Sequence, residues 1–316
     1  SELIDLRAFL RRSDDPIESG SVIALVYGTG QVHRGKSDFN PLGGSPSMGS
    51  STVTEAVRDA VEDEDVRAIV FRVDSPGGSY VASDAIWREF QQARAAEKPV
   101  IVSMGNVAAS GGYFVSMPAT KIVAQPGTIT GSIGVLAGKL VTGEFWKRHL
   151  GVTWDEVHTN GNATMWTGVQ DYTPQQLEKL EQVLDRIYLD FTGKVAAARD
   201  LTASQVEAVA GGRIWSGSDA MAQGLVDTLG GLELAVRLAG EEAGIDPQEA
   251  VTLRVYPRPK PLLEQLLERL DTSAGAHTAV ARQWAVVIKP FARVATELED
   301  LNADGVLQMR RMEPRW

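Results

Sequence analysis

Short runs of apolar, often β-branched residues recur through the first half of the chain, each followed by a longer stretch of helical spacing. Residues 21–27, 66–73, 99–104 and 121–124 are such runs and read as buried strands. Between them, 52–62 and 80–96 read as helices, and Ile86, Trp87, Phe90 and Ala93 fall on one face of the second. Small residues from Ala108 to Gly112 open a further helix after the strand at 99–104. This alternation predicts an α/β domain of stacked β-α-β units with a largely parallel sheet. The stretch 28–51, rich in Gly, Ser and Pro, reads as a long exposed loop.

Farther along, 127–135 is a glycine-punctuated loop that runs into a strand. Thr173 and Pro174 make an N-cap and first helical residue, predicting a helix to about 198. Its apolar set is Leu177, Leu180, Leu184, Ile187, Phe191 and Val195. Shorter helices are expected at 202–210, 218–223 and 231–243, with Ser216 or Ser218 capping the middle one and Gly224 stopping it. Pro257, Pro259 and Pro261 then form a stiff break before two helical patterns, 262–270 and 278–301. The expected organisation is a linker at 1–20, one domain at 21–245 and a helical extension at 246–316. The Leu262, Leu263, Leu266, Leu267 and Leu270 stripe in that extension suits a neighbouring subunit or a membrane surface.

Composition narrows the function. A net charge of -10 over 316 residues, with no Lys/Arg cluster, argues against a nucleic-acid surface. Cysteine is absent, which excludes disulfides, thiolate metal sites and a Cys nucleophile. No metal or cofactor is expected. No apolar run reaches the roughly 20 residues that span a bilayer. The chain begins with Ser1, as a processed product or a fragment of a longer protein would.

Two segments carry chemistry. Ser110, in Asn106-Val107-Ala108-Ala109-Ser110-Gly111-Gly112-Tyr113, stands at a strand-to-helix junction, where a hydroxyl can face a cleft. The N–H groups at a helix start are unpaired and favour an anion. Asp74-Ser75-Pro76-Gly77-Gly78-Ser79 ends another strand in a Gly-Gly turn and can bring a second donor. Gly78 or Gly77, with Gly111, would form an oxyanion hole, and Asp74 is expected to cap the Ser75–Gly78 turn. Small residues at 108–112 also simply permit close helix–sheet packing. Ser110 needs a base. The histidines, His33, His149, His158 and His277, read as surface residues. A lysine base requires a desolvated amine, and Lys98, Lys121, Lys139, Lys147, Lys179 and Lys194 leave that choice open. Ser132 suits either a contact to such an amine or a bond to its own turn.

Together with Thr130-Gly131-Ser132-Ile133-Gly134 and the stretch from Gly217 to Asp227, these segments resemble, in order, the motifs of the signal peptide peptidase A family. The resemblance covers roughly 20–245. It implies a Clp-protease/crotonase fold and a bacterial, membrane-associated serine protease that digests spent signal peptides by a Ser-Lys dyad. It implies Ser110 as nucleophile, Gly78 and Gly111 at the oxyanion hole, and Ser132 as the serine that contacts the catalytic lysine. Family members form ring- or dome-shaped oligomers, so a homo-oligomer is expected, on the extracytoplasmic face of the membrane. In short members the lysine falls in a window that here, at 156–170, contains none. Long members are tandem duplications with the lysine in the N-terminal half and the serine in the C-terminal half. The chain resembles that C-terminal half, which implies a nucleophile whose base lies outside it. Tyr80, Tyr113, Phe114 and Leu136 are candidate walls of an apolar substrate pocket. The competing readings are a crotonase-type acyl-CoA enzyme and a non-catalytic scaffold half. A Ser-His-Asp protease is disfavoured because no histidine follows Ser110 within thirty residues.

Overall fold

The structure, a computed structural model, describes residues 20–37 and 46–258. Its first half runs β1 (Ser21–Thr29), β2 (Gln31–His33), β3 (Ser47–Gly49), α1 (Ser50–Glu62), β4 (Val66–Ser75), α2 (Tyr80–Ala95), β5 (Val100–Ala109), α3 (Gly111–Ser116) and β6 (Lys121–Ala124). There follow β7 (Ile129–Gly131), α4 (Gly143–Leu150), α5 (Pro174–Arg199), α6 (Ala203–Val209), β8 (Ile214–Ser216), α7 (Gly217–Ala222), β9 (Thr228–Leu229), α8 (Leu232–Glu242) and β10 (Val251–Tyr256). The main sheet has the order β10-β1-β4-β5-β6-β9, with β7 added to β5 and β8 to β7. All its pairings are parallel except β7 with β8. The α/β expectation of stacked β-α-β units is met.

Both faces of the sheet are covered, as a parallel sheet requires. Successive residues point to opposite faces, so each central strand serves two cores. Val22, Ala24, Val26, Ile69, Phe71, Val73, Val102 and Met104 join the larger core, which also holds Ile86 and Phe90 of α2 and Phe191 of α5. Ile23, Leu25, Ala68, Val70, Ile101 and Val123 join the smaller one beneath Ala235 and Ala239 of α8. Phe71 and Phe90 meet with ring centroids 4.8 Å apart. Each such side chain, fully buried, contributes roughly 1.5–3 kcal/mol.

Helix α5 begins with a reciprocal capping box between Thr173 and Gln176. It buries Leu180, Ile187, Phe191 and Val195, whereas Leu177 is 45% exposed, which removes it from the predicted face. Of the two candidate caps for α7 it is Ser216 that accepts from the Asp219 N–H. The predicted loop at 28–51 contains the short parallel pair β2–β3. The strand expected after the glycine loop lies within it, as β7. Residues 251–256 pair with β1 and form one edge of the sheet, so the described start of the predicted helical extension is a strand. The linker at 1–19, His277 and both tail helices lie outside the described residues.

Candidate active site

The site is built where β5 changes partner. Along 101–103 this strand pairs with β6, and along 107–109 it pairs with β7. Its register with β4 passes from Val73↔Met104 to Ser75↔Ala108, so β5 carries two more residues than β4 across that interval. Bulges of this kind bend a strand and re-aim its side chains. The strand ends at Ala109, and Ser110 follows.

Ser110 has φ 51° and ψ -117°. That is the first central position of a type II′ turn, normally taken by glycine. Its N–H donates to the Gly131 carbonyl at 2.9 Å, and its carbonyl accepts from the Phe114 N–H at 2.9 Å. The side chain is half-buried and makes no cap bond to α3, and among the described residues its hydroxyl has no hydrogen-bond partner.

The Gly77–Gly78 loop lies directly against this serine. A Cβ placed on Gly77 would sit 2.8 Å from Ser110 Cβ and 2.7 Å from the Gly111 nitrogen, and one on Gly78 would overlap the Val32 carbonyl oxygen. At Gly111 a Cβ would meet Ser83 Oγ at 2.7 Å and the Gly78 nitrogen at 3.0 Å. Only glycine allows this approach, and it brings the Gly78 and Gly111 amides beside Ser110. Neither N–H donates to another group among the described residues. The loop is held from outside by β2, where the Val32 N–H donates to the Gly77 carbonyl and the Ser79 N–H to the Val32 carbonyl, both at 2.8 Å. Ser79 Oγ in turn caps α2 by accepting from the Ala82 N–H.

Ser132 follows Gly131 with φ 50° and is buried, its N–H donating to the Arg213 carbonyl at 2.7 Å. Ser132 thus directly follows the residue whose carbonyl is bonded to Ser110. Asp74 is not the cap of the Ser75–Gly78 turn. Ser75 Oγ takes that role, accepting from the Gly77 N–H at 3.2 Å, because the Asp74 carboxylate turns toward β5. There it accepts from the backbone N–H groups of Asn106 and Val107 and from Asn106 Nδ2, each at 3.2 Å.

Five of the six candidate lysines have side-chain partners away from Ser110. Lys98 Nζ donates to the Ala60 and Asp63 carbonyls at the end of α1, and burial lowers its pKa. Lys139 Nζ donates to the Met165 carbonyl at 3.0 Å over the Tyr172 ring, and burial lowers its pKa too. Lys194 bridges Asp84 and Asp190 at 2.7 and 2.6 Å. Lys121 pairs in register with Ile101, toward the opposite end of β5 from Ser110. Lys147 on α4 reaches Glu144, and Lys179 on α5 donates to Gln182. Among the histidines, His33 is bonded to Ser47 Oγ, His149 meets Phe145 with the rings tilted, and His158 is exposed.

Of the candidate pocket walls, Tyr113 and Phe114 belong to the core. Tyr113 is fully buried with its hydroxyl donating to the Leu225 carbonyl at 3.0 Å, and Phe114 packs on Phe191. Tyr80 donates its hydroxyl to Asp190 Oδ2 at 2.7 Å, while Leu136, four residues past Ser132, is 53% exposed. Sequence reasoning missed Val32 as the anchor of the glycine loop and Ser83 as the group that crowds Gly111. Neither carries a local signal, since both act through chain-distant contacts.

Residues 92–246 match the model of peptidase family S49. The chain is 37% identical to Protease 4 of Salmonella typhi over 90% of its own length, but spans only 44% of that protein. It is 36% identical to a putative protease of Synechocystis, covering 65% of this chain and 73% of the relative. Among solved structures it is similar to a ClpP1 mutant from Listeria monocytogenes, with TM-score 0.43, 13% identity and coverage of 67% of this chain and 94% of that one. On the family-model match and the sequence relatives, the chain belongs to peptidase family S49.

Proposed function

We propose that this chain is the nucleophile-bearing part of a serine peptidase. The observation that carries this reading is the strained Ser110, half-buried at the end of β5, with the Gly78 and Gly111 amides packed beside it. Attack by Ser110 Oγ on a peptide carbonyl forms a tetrahedral intermediate whose oxyanion those two N–H groups stabilise. The proton passes from the hydroxyl to a base and then to the leaving amine. The base is a neutral lysine contacted by Ser132, and it comes from a homologous half preceding this chain. In support, no described lysine is bonded to either serine, 156–170 contains none, and the Protease 4 relative is more than twice as long.

The substrates are cleaved signal peptides or other apolar peptides, handled at the extracytoplasmic face of a bacterial membrane. Among the described residues no helix is long and apolar enough to cross one. The protein works as an oligomer. Leu136, Leu140, Val141, Phe145, Trp146 and Leu150 are all exposed in and before α4, and such a concentration of uncovered apolar side chains marks a contact surface.

The test is hydrolysis of an apolar signal-type peptide by the full-length protein. Ser110→Ala should abolish it, and persistence of cleavage would refute the assignment. An acyl-CoA enzyme would instead bind a CoA ester in calorimetry.

A further inference from the structure

The carboxylate of Asp74 is the structural link between the two halves of the site, and nothing in the peptidase chemistry above uses it. Its backbone begins the Asp74–Ser79 loop, with its carbonyl accepting from the Gly30 N–H at 2.9 Å. Its side chain leaves that loop and enters the bulge of β5. Between Met104 and Ala108 the strand loses its ladder partners on β4, so the N–H groups of Asn106 and Val107 would be stranded there. Asp74 accepts both, and Asn106 Nδ2 as well, at 3.2 Å each.

The bulge is fitted to this side chain. A Cβ on Gly105 would sit 2.7 Å from Asp74 Oδ2, so a side chain there would expel the carboxylate. The Gly105 carbonyl accepts from Thr128 Oγ1 at 2.7 Å, so the opposite side of the bulge is satisfied from the segment leading to β7. Directly beyond, Val107, Ala108 and Ala109 take up register with Ile129, Thr130 and Gly131, and Ser110 follows. One carboxylate therefore fixes where β5 leaves β6 for β7, and does so from the residue that opens the oxyanion loop.

We propose that Asp74 is a positioning residue that sets the placement of Ser110 relative to the Gly78 and Gly111 amides. This rests on the serine-peptidase reading. Asp74 does not touch the substrate or transfer a proton. A misplacement of about 1 Å at a reacting centre costs on the order of a hundredfold in rate, so the clamp acts on turnover more than on binding.

The experiment compares Asp74→Asn and Asp74→Ala with the unsubstituted protein. Amide exchange at Asn106 and Val107 is measured in the 316-residue chain, and kcat and KM on an apolar peptide in the full-length protein. Asp74→Ala should speed exchange at both amides at least about tenfold and lower kcat about a hundredfold, with KM within about twofold. Asp74→Asn keeps one acceptor and should fall between, with kcat lowered about tenfold. If Asp74→Ala does not fold, Asp74→Asn decides. Faster exchange with unchanged kcat would overturn the positioning role, and unchanged exchange would overturn the clamp itself. If the unsubstituted full-length protein shows no Ser110-dependent turnover, the peptidase reading fails, and that outcome is distinct because exchange still reports on the clamp.

Discussion

Ser110 and Ser132 both hold a positive φ that residues with side chains rarely adopt, 51° and 50°. The segments that carry them are joined by the bond from the Ser110 N–H to the carbonyl of Gly131, the residue before Ser132, at 2.9 Å. Positive φ at a non-glycine residue costs on the order of 1–3 kcal/mol and persists only where the surroundings enforce it. Here the enforcement comes from the β5–β7 ladder on one side and the glycine loop on the other.

Ser110→Gly should therefore stabilise the fold by about 1 kcal/mol, because glycine takes this φ without a Cβ penalty. The urea midpoint should rise with an unchanged slope, while all chemistry at the position is lost. A lower midpoint would mean that the hydroxyl makes a structural bond.

Gly78→Ala forces a Cβ onto the Val32 carbonyl and must displace the Gly77–Gly78 loop from β2. If the Gly78 N–H is the proposed oxyanion donor, kcat falls by about two to three decades, and overpacking adds about 1–3 kcal/mol of destabilisation. Gly193→Ala on α5 is the control. Nothing lies within 4 Å of where its Cβ would stand, so it should be neutral in activity and gain about 0.5–1 kcal/mol in stability. Equal effects from both substitutions would contradict the site geometry.

Asp63 ties the edge strand β10 to the end of α1. Its Oδ2 accepts from Arg254 Nη1, the Tyr256 hydroxyl and Arg258 Nη2, all at 2.6 Å. Burial pushes this carboxyl up, but the bonds from Tyr256, the Asp65 N–H, Arg254 and Arg258 outweigh burial and hold it well below the usual carboxylate range. A depressed folded pKa means that the stabilisation is complete above the unfolded value, about 3.9, and is lost as pH falls from there toward the folded pKa. Asp63→Asn should cost about 3 kcal/mol at neutral pH, with the gap to the unsubstituted protein narrowing only below about pH 4. Chemical denaturation across pH checks this, and a gap that closed between pH 7 and 5 would contradict it.

Phe145 and Trp146, exposed by 55% and 38%, should matter for association and not for folding. Replacing both with Ser should leave the melting temperature within a few degrees and shift the assembly to smaller species in light scattering. An unchanged mass would place the contact surface elsewhere.

Much of this site was legible in the sequence because its parts are local. The strand-to-helix junction at Ser110, the Gly77–Gly78 turn and the Ser132 motif each announce themselves through small residues that tolerate special backbone angles. The alternating cores of β1, β4 and β5 follow from their apolar runs. What was not legible depends on contacts between distant segments. Asp74 looks like a turn cap because Asp before Ser-Pro-Gly usually is one, and only the bulge in β5 shows where its carboxylate goes. Tyr113 and Phe114 follow Ser110 closely in sequence, but the first turn of α3 points both into the core. Strand β10, with exposed residues alternating along it, is held by pairing with β1 and by the bonds of Arg254 and Tyr256 to Asp63.

The central claim is that Ser110 is a nucleophile whose base lies outside these 316 residues. The most direct measurement is the rate at which a fluorophosphonate labels Ser110 in this chain alone and in the full-length protein. The account predicts negligible labelling of the chain alone, and rapid labelling in the full-length protein that Ser110→Ala abolishes. Labelling of the isolated chain at the full-length rate would contradict it, and loss of that labelling on Lys139→Ala would locate the base within the chain.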